Sequence, residues 1–270
     1  MSLIHATSVI HPSARIAEDA EIGPYTIVEA DVEVGPGCRI GGHVTLGERL
    51  TLGRDVRVYN YACLGTASQD LKHKGQHSRS RIGDGSIIRE FVTLNRATRE
   101  GGITQVGRRV LLMAYSHVAH ECIVEDGAIL ANGATLGGEV HVGPHANIGG
   151  LAGIHQFCRI GAYAIVGASS KVTQDIPPFV MADGHPARPY GPNLIGLQRG
   201  GFTEGRIALI RRILRQLYDR NGSLENNCET IQRLWPDEPE AATVLEFVEL
   251  SQRGIAHPRS RHELFSEADC

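Results

Sequence analysis

The segment Tyr115-Ser116-His117-Val118-Ala119-His120-Glu121-Cys122 is the densest group of chemically capable side chains in this sequence. Two imidazoles three residues apart suit proton transfer, because histidine titrates near working pH. A surface histidine needs no such role, so the surrounding chain must decide. Gly138 lies 18 residues after His120, and Gln156 lies 18 beyond that. His155 is 18 residues beyond Gly137. If the chain coils with that period, the Gly138 N–H comes within about 5 Å of His120 along the stack. A neutral imidazole beside an exposed glycine amide is a general base with an oxyanion donor.

The period is present. From Ile4 to Val172, every sixth residue is a branched aliphatic at 26 of 29 positions. The exceptions, Asp70, Gln76 and Glu100, fall in two polar stretches. Two residues before each aliphatic stands a smaller one, such as Ala20, Cys38, Ala128 or Ala164. A strict period of six over such a length fits a solenoid of short strands and corners, not a globular core. Three hexapeptides make one triangular coil. Glycine often follows the aliphatic, as at Gly23, Gly41 and Gly143, and is expected there to supply the positive φ of tight corners. In this register Ser116, Val118 and Cys122 point inward, and His117 and His120 point out.

Thr66–Arg81 and Arg96–Gln105 leave the repeat phase intact and read as extruded loops. Asp175-Ile176-Pro177-Pro178 is expected to end the solenoid. A Gly/Pro-rich connector over Gly184–Pro192 follows, and the period then changes. Ile207, Ile210, Leu214 and Leu217 predict a helix opened near Thr203. Leu224, Cys228, Ile231 and Leu234 predict a second, capped by Ser223. Val244, Phe247 and Val248 predict a third, stopped at Gly254. The expected division is 1–190 for the solenoid and 191–270 for a helical domain. From about His257 the chain reads as a polar, frayed end.

Composition narrows the classes. A net charge of −3 over 270 residues argues against a nucleic-acid partner. No run of 18 apolar residues is present, so no membrane span is expected. The N-terminus lacks a signal-peptide pattern, which places the chain in the cytoplasm. Cys38, Cys122 and Cys158 fall in the small inward register and read as core groups. Cys63, Cys228 and Cys270 show no paired spacing, so neither disulfides nor a metal are expected.

HVAHEC, QDLKHKG, LANGATLGGEVHV, IHQFCRIGA and NLIGLQRGGF occur together with the hexapeptide pattern. In this combination the chain resembles the UDP-N-acetylglucosamine O-acyltransferases over its whole length. The resemblance implies a mainly β fold, a left-handed parallel β-helix with a C-terminal α-helical domain. It implies transfer of an (R)-3-hydroxyacyl group from acyl carrier protein to the 3-hydroxyl of UDP-N-acetylglucosamine, the first step of lipid A synthesis, without a cofactor. His120 would be the base, Glu121 its orienting group and the Gly138 N–H the oxyanion donor. Asp70, Lys72, His117, His155 and Gln156 would meet substrate. Asn193 and Arg199 would meet the uridine and phosphates, and Ala168 would end the acyl groove. The cluster Arg211, Arg212 and Arg215 could dock the acidic carrier protein.

The resemblance further implies a homotrimer with sites between neighbouring subunits, His120 from one and loop residues from the next. Three positions depart from the family pattern. Glu121 replaces aspartate, Glu139 stands where histidine is usual, and Gly200 where a second arginine is. Other readings on the same fold are an acyl-CoA-dependent transferase, an enzyme acting on a 3-amino sugar, a zinc enzyme using His117, His120 and His155, and an inactive paralogue.

Overall fold

The computed structural model describes residues 3–258. Strands of two to four residues build a three-faced prism in which each pairs in parallel with the strand one coil away, and a longer antiparallel hairpin ends the first face. The register follows the repeat: Ile4 opposes Ile22, Val118 opposes Leu136, and Leu136 opposes Ile154. The first face has eleven strands, from Leu3–Ile4 to Ala187–Pro192, the second has nine and the third eight.

Inside, the period-six aliphatics and their smaller companions form the core. Leu46, Leu64, Leu112, Leu130 and Leu136 are fully buried, as are Ala128, Ala134 and Cys122. Each aliphatic rests on its equivalents above and below, so truncating a central one such as Leu130 to alanine costs about 2–5 kcal/mol.

The corners correct one expectation. Positive φ falls on the third residue after the aliphatic and, Gly65 after Leu64 apart, not on the glycine that directly follows it. Among the described residues seventeen that are not glycine adopt positive φ, including Tyr25, His43, Tyr61, Glu121 and Glu139. In most coils the N–H of that residue donates to a carbonyl of the preceding coil, as Tyr115 does to Glu90 O and Glu139 to His120 O. This bond offsets a conformation that costs roughly 1–2 kcal/mol outside glycine. The glycine after the aliphatic has another reason: a Cβ on Gly23 would lie 2.7 Å from the Gly41 carbonyl carbon, inside the next coil's backbone.

The three edges between faces differ. Between the first and second faces, Tyr25, His43, Tyr61, Phe91 and Tyr115 stack with ring centroids 4.8–5.1 Å apart. We call this the aromatic edge. Both extruded segments leave the edge between the second and third faces, the loop edge. They are shorter than expected, 67–78 and 96–102, because strands Arg79–Ile82 and Ile103–Val106 extend back into them.

The prolines do not end the sheet. Val180–Gly184 pairs in parallel with the strand of Ile165 and Val166, and turns back antiparallel through Ala187–Pro192. The expected connector is therefore a β-hairpin. Four helices follow: α1 (Leu194–Arg199), α2 (Glu204–Leu217), α3 (Leu224–Leu234) and α4 (Pro239–Glu249). Thr203 and Ser223 cap α2 and α3 as their positions predict. α1 is too short to show a period, and α4 stops at Leu250, four residues before Gly254. Buried Asp175 joins tail to prism: its carboxylate accepts from Arg159 N–H (2.8 Å) and the Ser251 hydroxyl (2.5 Å). Among the described residues no helix is long and apolar enough to cross a membrane. Cys270 lies outside the described residues, as does most of the segment from His257.

Candidate active site

The site grows from one corner of the loop edge. His120 precedes Glu121, whose positive φ turns the chain there. His120 Nδ1 bonds Glu121 Oε2 at 2.5 Å, which fixes the ring plane and leaves Nε2 facing outward. The extra methylene of glutamate over aspartate is used. Glu121 Oε1 accepts the N–H groups of Thr98 and Arg99, at 2.7 and 2.8 Å, from the second extruded loop.

Gly138 sits one coil on, against the His120 ring, where a Cβ would overlap Nε2 and Cε1. Its neighbours' amides serve the ladder, Gly137 N–H to Ile154 O and Glu139 N–H to His120 O, while the Gly138 N–H between them does not. The base and an amide outside the ladder therefore meet as the 18-residue spacing predicts.

Asp70 Oδ2 lies 3.8 Å from His120 Nε2. The loop that carries Asp70 belongs to the same chain as His120. Asp70 Oδ1 accepts the Lys72 N–H at 2.9 Å, and the Lys72 side chain is exposed. His117 lies on the second face, with Nδ1 2.7 Å from Thr93 Oγ1. Burial, and then the nearby His120, push its pKa below the usual histidine value. His155 and Gln156 line a groove of about 430 Å³ on the coils above, with Thr135, Gly137 and Lys171.

Other expected site residues lie apart. Ala168 is exposed in a turn at the opposite, aromatic edge of the second face. Arg199 is exposed in the last turn of α1. Asn193 is buried, and both ends of its amide are used within the chain. Oδ1 caps α1 through Gly196 N–H (2.9 Å), and Nδ2 donates to Tyr163 O (2.7 Å). On α2, Arg212 stacks over Trp235 at 5.4 Å, Arg211 is half-buried and Arg215 exposed. Among the described residues no three His, Cys, Asp or Glu side chains converge as a metal site. The Cys38, Cys122 and Cys158 thiols are buried, which raises their pKa values.

Sequence reasoning missed Thr93, Thr98, Arg99 and Ser68. Ser68, Thr98 and Arg99 act through loop folds that the period does not specify, while Thr93 is the strand neighbour of His117, offset by 24 residues instead of 18 because the second loop intervenes.

Residues 175–256 match the family model described as UDP N-acetylglucosamine O-acyltransferase, domain 2, and residues 13–48 and 103–138 match the bacterial transferase hexapeptide. An acyl-[acyl-carrier-protein]–UDP-N-acetylglucosamine O-acyltransferase of Paracidovorax citrulli is 49% identical over 95% of this chain and 100% of its own. That of Thiobacillus denitrificans is 42% identical over 94% and 99%. This chain belongs to the UDP-N-acetylglucosamine O-acyltransferase family. Solved structures of the family superpose closely. The Francisella novicida acyltransferase has a TM-score of 0.93 at 32% identity, covering 99% of this chain and 98% of its own. The Moraxella catarrhalis protein has 0.91 at 35%, covering 94% and 100%. The prism is thus the left-handed parallel β-helix of these acyltransferases.

Two departures from the family pattern have local partners. Glu139 pairs with Arg99 of the second loop. Gly200 lies against Tyr163, where a Cβ would come within 2.7 Å of the ring; a larger residue there would displace Tyr163.

Proposed function

We propose that this chain transfers an (R)-3-hydroxyacyl group from acyl carrier protein to the 3-hydroxyl of UDP-N-acetylglucosamine, as the first step of lipid A synthesis. The observation that carries the reading is the His120 imidazole, fixed by Glu121 at Nδ1 and facing the Gly138 amide corner with Nε2. Nε2 takes the proton of the sugar hydroxyl as its oxygen attacks the thioester carbonyl carbon. The Gly138 N–H stabilises the oxyanion of the tetrahedral intermediate. Collapse breaks the C–S bond, and the imidazolium returns the proton to the leaving thiolate. No acyl-enzyme forms, and no cofactor takes part.

Asp70, Lys72, His117, His155 and Gln156 surround the place where the sugar and acyl chain would lie. Arg199 offers a guanidinium to the pyrophosphate. Asn193 then acts by holding α1 in place, since its amide is already committed. Small Ala168 leaves the far end of the second face open to a medium-long acyl chain. Arg211, Arg212 and Arg215 give α2 a basic stripe for an acidic carrier protein. The proposed assembly is a homotrimer, with a second subunit closing the open groove.

Incubating the protein with (R)-3-hydroxyacyl carrier proteins of graded length and UDP-N-acetylglucosamine tests the reading. An ester product with a medium-long donor is expected. Amide formed only on a 3-amino sugar nucleotide would move the reading to that acceptor; preference for a very short donor would overturn the role of Ala168.

A further inference from the structure

The two acidic residues beside His120, Glu121 and Asp70, are both tied to one turn of the second loop. Thr98 and Arg99 donate their N–H groups to Glu121 Oε1. The Thr98 hydroxyl donates to Ser68 Oγ at 2.7 Å, and Ser68 Oγ also accepts the Asp70 N–H at 3.1 Å. One turn therefore reaches His120 Nδ1 through Glu121 and the Nε2 side through Ser68 and Asp70. Gly102 closes that turn with its N–H on Arg99 O at 3.0 Å, and a Cβ there would crowd Ala97 and stand 3.4 Å from Glu121 Oε1. The Arg99 guanidinium pairs with Glu139, the residue after Gly138.

We propose that the Thr98–Arg99 turn is the positioning element of this site, clamped by the Arg99–Glu139 pair to the corner that carries the Gly138 amide. The inference rests on His120 being the base. Neither Thr98 nor Arg99 touches a reacting atom; they set where the base stands relative to the oxyanion donor. Small displacements between such groups are expensive in rate. The clamp is largely on the surface, with the Arg99 side chain 65% exposed. Such pairs add little to global stability, so its effect should appear in turnover.

The test uses the full chain as wild type, Thr98→Val, Thr98→Ser and Glu139→Gln. It measures kcat, melting temperature and amide hydrogen exchange at Thr98 and Arg99. Thr98→Val and Glu139→Gln should each lose about tenfold in kcat at nearly unchanged melting temperature. Thr98→Ser, which keeps the hydroxyl, should stay within about twofold of wild type. In Glu139→Gln the Thr98 and Arg99 amides should exchange faster. Turnover within twofold of wild type in both Thr98→Val and Glu139→Gln would overturn the proposal, as would unchanged exchange in Glu139→Gln. If the wild type transfers no acyl group, the parent reading fails, and amide exchange alone still decides whether the clamp holds the turn.

Discussion

The aromatic edge and the loop edge are made by one backbone rule and serve opposite ends. On both, the third residue after each inward aliphatic takes positive φ, Tyr115 on one and Glu121 on the other. On the aromatic edge the side chain at that position lies on its equivalent one coil away, and the column runs unbroken from Tyr25 to Tyr115. On the loop edge the column is interrupted. Glu121 N–H donates to Thr104 Oγ1 in place of a backbone carbonyl, and its carboxylate turns to His120 and the loop amides. Repetition makes the scaffold; the chemistry sits where repetition stops.

That contrast can be broken in several ways. The largest effect is expected for His120→Ala, a loss of about 10²–10⁴-fold in kcat, read by product formation at saturating substrate. Gly138→Ala should follow, since its methyl would displace the His120 ring; about 10²-fold lower kcat with circular dichroism unchanged is expected. Glu121→Gln keeps the shape but gives one face of its amide a donor where a carboxylate oxygen accepts. It should lose about tenfold or more, and an unaltered rate would remove Glu121 from the site.

On the other edge the sign of the test reverses. Phe91→Ala removes two stacked contacts, with Tyr61 and Tyr115. It should cost about 1–3 kcal/mol by denaturant titration and leave kcat alone. The smallest effect is a pH dependence. The half-buried His117 favours its neutral form in the folded chain. Its share of stability is therefore full above the ordinary histidine value of about 6.5 and declines as pH falls below it. Melting curves across that range should flatten in His117→Gln.

Much of this was legible in the residues. The period of six gives the prism and its core, and the 18-residue offsets bring Gly138 to His120. Thr203 and Ser223 mark two helix starts, because a cap is a local interaction. What the sequence hid is not local. A glycine required by the coil above looks the same as one required by its own φ, hence the misplaced corner at Gly23. The hairpin after Pro178 pairs through a register that no repeat announces. Asn193 as a buried cap, and the hold of Thr98 and Arg99 on Glu121, depend on how two irregular loops and a short helix pack, and nothing periodic encodes them.

The most direct test of the account is one rate comparison: acyl transfer from an (R)-3-hydroxyacyl carrier protein to UDP-N-acetylglucosamine by wild type, His120→Ala and Phe91→Ala. The expected result is product from the wild type and Phe91→Ala at similar rates, with His120→Ala slower by orders of magnitude. Equal rates for wild type and His120→Ala would contradict it, because the loop edge would then not hold the base.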